Sequence, residues 1–200
     1  MGLPARKMEE GEERFTYGDY LTWPDEERWE LIDGVAYDMS PAPSRRHQEI
    51  VRELSMQISN YLANKPCQIY FAPFDVRLPE LDEEGTPLAA DEEVETVVQP
   101  DIVIVCEEKK LDDRGCTGSP DIVIEVLSPY TAKKDLMTKY HLYERHKVKQ
   151  YWIFDPATDE AAIFKLKDGK YGEPQEYSKE KKIRVDIFED LEIDLSRIFG

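Results

Sequence analysis

Residues 119–129, SPDIVIEVLSP, decide the fold class. From Asp121 to Leu127 the chain is almost unbroken apolar and is closed by Ser128-Pro129, the pattern of a strand buried on both faces. Alternation assigns Asp121, Val123, Glu125 and Leu127 to one face and Ile122, Ile124 and Val126 to the other. Glu125 therefore sets a carboxylate in the middle of a buried strand, which is costly unless a positive charge meets it. A second apolar run, VVQPDIVIV at 97–105, carries Asp101 directly after Pro100. A third, QIYFAPFDVRL at 68–78, carries Asp75 after Phe74. The three runs read as adjacent strands, so three carboxylates are expected on one sheet.

Downstream, Ser128-Pro129 or Thr131 can cap a helix reaching to about Lys147. Helical spacing makes Leu136, Tyr140 and Tyr143 its inward stripe. Lys139 flanks that stripe, Lys133 lies on the other flank, and Lys134 points nearly opposite. Either flanking lysine could lean onto the sheet, and Lys139 is preferred. QYWIF at 150–154 is a further strand, and 161–166, 171–177 and 183–188 suggest a C-terminal antiparallel extension before a short helix near 195–199.

Upstream, Ser44 is a good N-cap for a helix to about Ala63, with Ile50, Val51, Leu54, Ile58, Tyr61 and Leu62 at helical spacing and His47 on the same stripe. WELIDGVAY at 29–37 holds Asp33-Gly34 between apolar segments, a hairpin signal. Residues 17–23 suggest a short helix ended by Pro24. Residues 1–14 read as a flexible lead and 15–200 as a single domain. The order of elements predicts an α/β domain: a mixed sheet flanked by helices, with an N-terminal hairpin and a C-terminal antiparallel extension.

Composition narrows the function classes. The longest apolar run, Ile102–Cys106, is five residues, far short of the ~20 that a membrane helix needs. The start is charged and lacks the apolar stretch of a secretory signal. Cys67, Cys106 and Cys116 are odd in number and form no CxxC, so they read as reduced thiols in a cytoplasmic protein. With 26 bases and 43 acids the net charge is −17, which taken whole argues against a polyanionic ligand. The charge is uneven, however. Residues 9–30 hold nine acids and two bases, and residues 80–95 hold eight acids and no base. Residues 131–149 carry six bases and two acids, and residues 44–52 three bases and one acid. Local surfaces for an anion therefore survive.

Carboxylates converging from neighbouring strands favour a hard divalent ion, and Mg²⁺ takes one or two carboxylates while keeping several waters. A nearby lysine would stabilise developing charge or position a nucleophile. This is the chemistry of phosphodiester hydrolysis. Pro100-Asp101 followed by Glu125-Val126-Leu127 resembles the PD-(D/E)xK nuclease signature. The wider text resembles the Uma-two family of restriction-type endonucleases. It runs ELIDG at 30–34, MSPAPS…H at 39–47, PFDVRL at 73–78, QPDIVIV at 99–105, SPDIVIEVLSP at 119–129 and YWIFDP at 151–156. The likeness spans about Thr16 to Leu166.

The resemblance implies the restriction-endonuclease-like fold, a Mg²⁺-dependent site with Mn²⁺ able to substitute, and DNA as substrate. It gives Asp101 and Glu125 the roles of metal ligands, with the carbonyl of Val126 as a third. Leu127 departs from the superfamily pattern, because a lysine is expected there. The resemblance moves that role to the following helix and hence to Lys139. It also makes His47 a site-lining residue, where the residue alone reads equally as a packed or capping histidine. Asp75 would join the metal or pair with Arg77, Arg45 or Lys139. Glu30 is expected outside the site, Asp121 in a turn or edge role, and Gln150, where Glu is expected, at most in support. Tyr140, Tyr143, Tyr151 and Trp152 are expected in the core. A homodimer is expected by analogy, since double-strand cleavage needs two sites. The alternative reading is a non-catalytic interaction protein that retains the nuclease scaffold.

Overall fold

Two of the expected strands break at a proline, which cannot donate to a sheet ladder. In the computed structural model, which describes residues 14–24, 26–39, 42–82, 84, 86–188 and 190–200, the 68–78 run splits into strands Gln68–Phe71 and Val76–Arg77 around Pro73. The 97–105 run splits into Val97–Val98 and Ile102–Val105 around Pro100. Each half joins a different sheet. The expectation of three adjacent carboxylate-bearing strands fails for this reason at Asp75. The expected lead falls almost entirely on residues outside the described set.

The described residues form two compact units. The first comprises those of Met1–Ala42 with Pro73–Gln99 and Lys109–Ser119. Its six-stranded sheet runs in the order Val35–Asp38, Trp29–Ile32, Val97–Val98, Val76–Arg77, Gly115–Thr117, Leu111–Asp112. The Trp29–Asp38 hairpin turns through Asp33 at φ 52° and Gly34 at φ 76°, the left-handed pair that matches strand twist. The hairpin 111–117 occupies a stretch that reads from sequence as a plain connection. Gly115 is required there, because a Cβ would lie 2.2 Å from the Asp75 carbonyl oxygen. The helix Tyr17–Tyr20 is capped by Thr16, and Tyr17 packs with Leu31, Val94 and Val97.

The second unit comprises Pro43–Ala72, Pro100–Glu108 and the described residues of Pro120–Gly200. Its sheet runs Lys170–Tyr171, Glu160–Lys167, Gln150–Asp155, Ile122–Val126, Ile102–Val105, Gln68–Phe71, with Gln175–Ser178 also on Glu160–Lys167. Every pair is antiparallel except Gln150–Asp155 on Ile122–Val126. A parallel pair needs a crossover, and the segment between these strands supplies it. The helix Arg45–Leu62 buries Ile50, Leu54, Ile58 and Leu62 against Ile102, Ile104, Ile122, Ile124 and Val126. The C-terminal strands Lys182–Arg184 and Glu192–Asp194 and helix Leu195–Phe199 complete that core. The architecture is mixed α/β, as expected. Among the described residues no helix is long and apolar enough to cross a membrane.

Two local expectations are corrected. Cys67 and Cys106 form a disulfide and are not reduced thiols; they extend by one position the cross-strand register that pairs Gln68 with Val105. Cys116 is free and buried. The crossover helix is not α-helical throughout: Lys134–Lys139 is a π-helix, followed by the α-helix Tyr140–Arg145. Within the π segment the buried residues are Asp135 and Lys139, and Leu142 and Tyr143 follow in the α segment. Leu136, expected inside, is exposed.

Candidate active site

Antiparallel register brings the two carboxylates together. Ile102 pairs with Ile124 and Val103 with Val123, so Asp101 falls opposite Glu125. The Asp101 N–H donates to Glu125 Oε2 at 3.4 Å, and the Val126 N–H donates to Asp101 Oδ2 at 2.8 Å. Leu127 N–H turns the other way, to the Phe154 carbonyl. Strand alternation therefore puts the Val126 carbonyl on the edge facing Asp101, beside its own N–H.

Lysine and tyrosine close the other side of Glu125. Lys139 Nζ donates to Glu125 Oε1 at 2.7 Å and the Tyr143 hydroxyl donates to the same oxygen at 3.2 Å. Asp135 Oδ1 lies 3.8 Å from Lys139 Nζ. The side chains of Glu125, Lys139 and Asp135 are 6%, 4% and 3% exposed, whereas that of Asp101 is 20% exposed. The cluster thus opens toward solvent at Asp101. Of the two flanking lysines, Lys139 is the one at Glu125, and Lys133 is exposed.

His47 sits in the first turn of its helix, where its N–H donates to the Ser44 hydroxyl. Its Nε2 lies 3.1 Å from Asp101 Oδ2, while Nδ1 is buried and has no hydrogen-bond partner among the described residues. Tyr151 backs the cluster, donating its hydroxyl to the Asp135 carbonyl at 3.1 Å. Burial first, then the charges of Glu125 and Asp135, push that hydroxyl well above its ordinary pKa and keep it a donor.

Asp75 lies in the other unit. There its Oδ1 accepts from the Tyr20 hydroxyl at 3.1 Å and from Gln99 Nε2 at 2.9 Å. Burial raises its pKa against those two hydrogen bonds. Glu30 is buried in the same unit and accepts the Gln99 N–H. Asp121 marks the opposite strand end from Glu125, accepting from Cys106 N–H and from Lys149. Gln150 is buried and accepts the Trp152 indole N–H. Tyr143, Tyr151 and Trp152 are fully buried, and Tyr140 is partly so. Sequence reasoning missed Asp135 and the Tyr143 hydroxyl. The signal for Asp135 was an acid one helical turn before Lys139, hidden by a period of 3.6.

The donor set is hard: two carboxylates and a carbonyl. Among the described residues no group of three or more His, Cys, Asp or Glu is arranged to hold a metal. Two carboxylates and a carbonyl are the sparse oxygen set that suits Mg²⁺, which keeps its waters. Asp101 Oδ1 has no hydrogen bond among the described residues. Asp101, Glu125, Asp135 and Lys139 contribute three acids and one base to the cluster.

A mixed sheet that opposes Asp and Glu on neighbouring strands and draws its lysine from the crossover helix defines a restriction-endonuclease-like protein. Comparison with known proteins agrees. The model of the Uma2 family, described as "Putative restriction endonuclease", matches residues 17–196, and the chain belongs to that family. A crystal structure of "a putative nuclease belonging to DUF820" from Anabaena variabilis ATCC 29413 superposes with a TM-score of 0.71 over 92% of this chain and 97% of that chain. At 17% identity it shows the shared fold. An uncharacterized protein of Synechocystis sp., slr1290, is 25% identical over 142 residues, 70% of this chain and 67% of its own length.

Proposed function

We propose that the protein is a divalent-cation-dependent endonuclease that hydrolyses phosphodiester bonds in DNA. The observation that carries this reading is the opposition of Asp101 and Glu125 across adjacent strands, with Lys139 Nζ 2.7 Å from Glu125. Asp101, Glu125 and the carbonyl of Val126 would hold Mg²⁺ or Mn²⁺. The ion would supply charge neutralisation at the phosphate and a water of lowered pKa. Hydrolysis forms one bond from water oxygen to phosphorus, breaks one P–O ester bond, and delivers a proton to the leaving oxygen. Lys139 positions the attacking water or the scissile phosphate and meets developing negative charge. His47 and the Val126 N–H orient the Asp101 carboxylate. The unit containing the site carries 21 acids and 18 bases, so the polyanion does not meet the full −17 there. A double-strand break needs two sites, and the working species is then a homodimer, which light scattering checks.

Supercoiled plasmid incubated with the protein and Mg²⁺ or Mn²⁺ tests the proposal, with Glu125→Ala and Asp101→Asn as controls. Nicking or linearisation is expected from the native chain and not from either variant. Equal cleavage by all three, or none by the native chain with either ion, refutes it. A native chain that is inert, and whose melting temperature ignores both ions, is instead a retained scaffold.

A further inference from the structure

Lys139 is flanked by a second buried carboxylate. Glu125 already pairs with Lys139 at 2.7 Å, yet Asp135 Oδ1 approaches the same ammonium at 3.8 Å with its side chain almost wholly buried. Burying a carboxylate opposes folding. The segment that brings it inside is also unusual. Lys134–Lys139 is π-helical, a geometry that occurs mostly as short bulges near functional sites. The same turn leaves Leu136 and Met137 exposed, so apolar burial is given up to bring an acid in. The buried Tyr151 hydroxyl bonds the Asp135 carbonyl and holds the turn in place.

We propose that Asp135 is a positioning residue for Lys139. It anchors the ammonium group at the edge of the site, so that Glu125 can turn its carboxylate toward a cation without releasing the lysine. The assignment deepens the endonuclease reading and rests on it. Asp135 itself is not a ligand of the ion.

The test uses the full chain, with plasmid cleavage and Mn²⁺ titration by calorimetry on the native protein, Asp135→Asn and Asp101→Asn. Asp135→Asn keeps the shape and removes the charge. Its kcat is expected to fall about 10–100-fold, since small misplacements of catalytic groups have costs of that order. Its KM and Mn²⁺ affinity are expected to stay within about threefold, the split that marks loss of an interaction realised in the transition state. Asp101→Asn is expected to lose Mn²⁺ binding. Unchanged kcat in Asp135→Asn overturns the proposal, and so does loss of Mn²⁺ binding, which would make Asp135 a ligand. Should Asp135→Asn fail to fold, Asp135→Ser is read by the same criteria, and unfolding of both assigns a purely structural role. If the native chain itself does not cleave, the endonuclease reading has failed first, a result distinct from any of these.

Discussion

Each unit of the molecule buries one cation against two carboxylates, and the two clusters are built for different ends. In the first unit Arg77 is fully buried, with Nη1 2.6 Å from Asp91 and Nη2 2.7 Å from Asp112. Those two carboxylates are 37% and 50% exposed, and they tie the 91–93 turn and the 111–117 hairpin to the strand that bears the arginine. In the second unit the acids are buried with the cation, and a further carboxylate, Asp101, faces partly outward. Both arrangements set two acids against one cation; in the first those acids are partly exposed, in the second they are buried. A buried ion pair is weak evidence of a site in itself. Buried acid with an opening to solvent is the feature that distinguishes the proposed site from the Arg77 cluster. The overall charge divides the same way: the first unit holds 22 acids and 8 bases, −14 of the −17, and the second −3.

The largest effect that can break this comparison is at Glu125. Glu125→Ala removes the nearer of the two carboxylates that meet the Lys139 ammonium, and removing one partner of a buried pair costs about 3–5 kcal/mol. Urea denaturation should show that loss, and cleavage should fall about 10³-fold, the order expected for an electrostatic group aimed at the reaction. Removing the ammonium and both carboxylates that face it, in Glu125→Gln with Lys139→Met and Asp135→Asn, should recover much of the stability and none of the activity. If the single variant is as stable as the native chain, Glu125 is not the buried anchor described. Asp112→Asn is the matched change in the first unit. Arg77 keeps Asp91, and Asp112→Asn keeps an oxygen to accept from it, so this variant should lose about 1–2 kcal/mol, less than Glu125→Ala. A cost equal to that of Glu125→Ala would erase the distinction between the clusters. Asp112 has a sign of its own. Although burial opposes it, hydrogen bonding to Arg77 holds its pKa below the ordinary value. Its contribution is therefore present above the unfolded value and lost as pH falls through the folded one.

The Asp101–Glu125 pair was legible because each acid interrupts an apolar strand, and the antiparallel pairing of those strands sets them opposite each other. The hairpin at Asp33-Gly34 and the helix capped by Ser44 were legible from local chemistry alone. Asp75 was misplaced because two strands were read through Pro73 and Pro100, where the missing donor argued for a break. Asp135 was hidden because 3.6-residue periodicity selects Leu136, and nothing local announces a π turn. The Cys67–Cys106 pairing exists only through register between strands far apart in sequence, which cysteine counting does not reach.

The smallest effect concerns Asp75, and it sharpens the contrast between acids inside the first unit. Burial raises the Asp75 pKa despite the hydrogen bonds from Gln99 and Tyr20. A carboxyl with a raised folded pKa favours the folded state fully only below its unfolded value, and that advantage is lost as pH rises through the folded one. Above the folded value the ionised, partly buried group therefore opposes folding, the reverse of Asp112. Asp75→Asn keeps an oxygen to accept from Tyr20 and Gln99 and removes the charge. Its melting temperature should exceed that of the native chain at about pH 7.5, and the gap should close as the medium is acidified toward the ordinary carboxylate range. A deficit at neutral pH, or a gap that ignores acidification, would mean that the Asp75 charge is wanted where it stands. Asp75 would then share with Glu125 a role beyond packing.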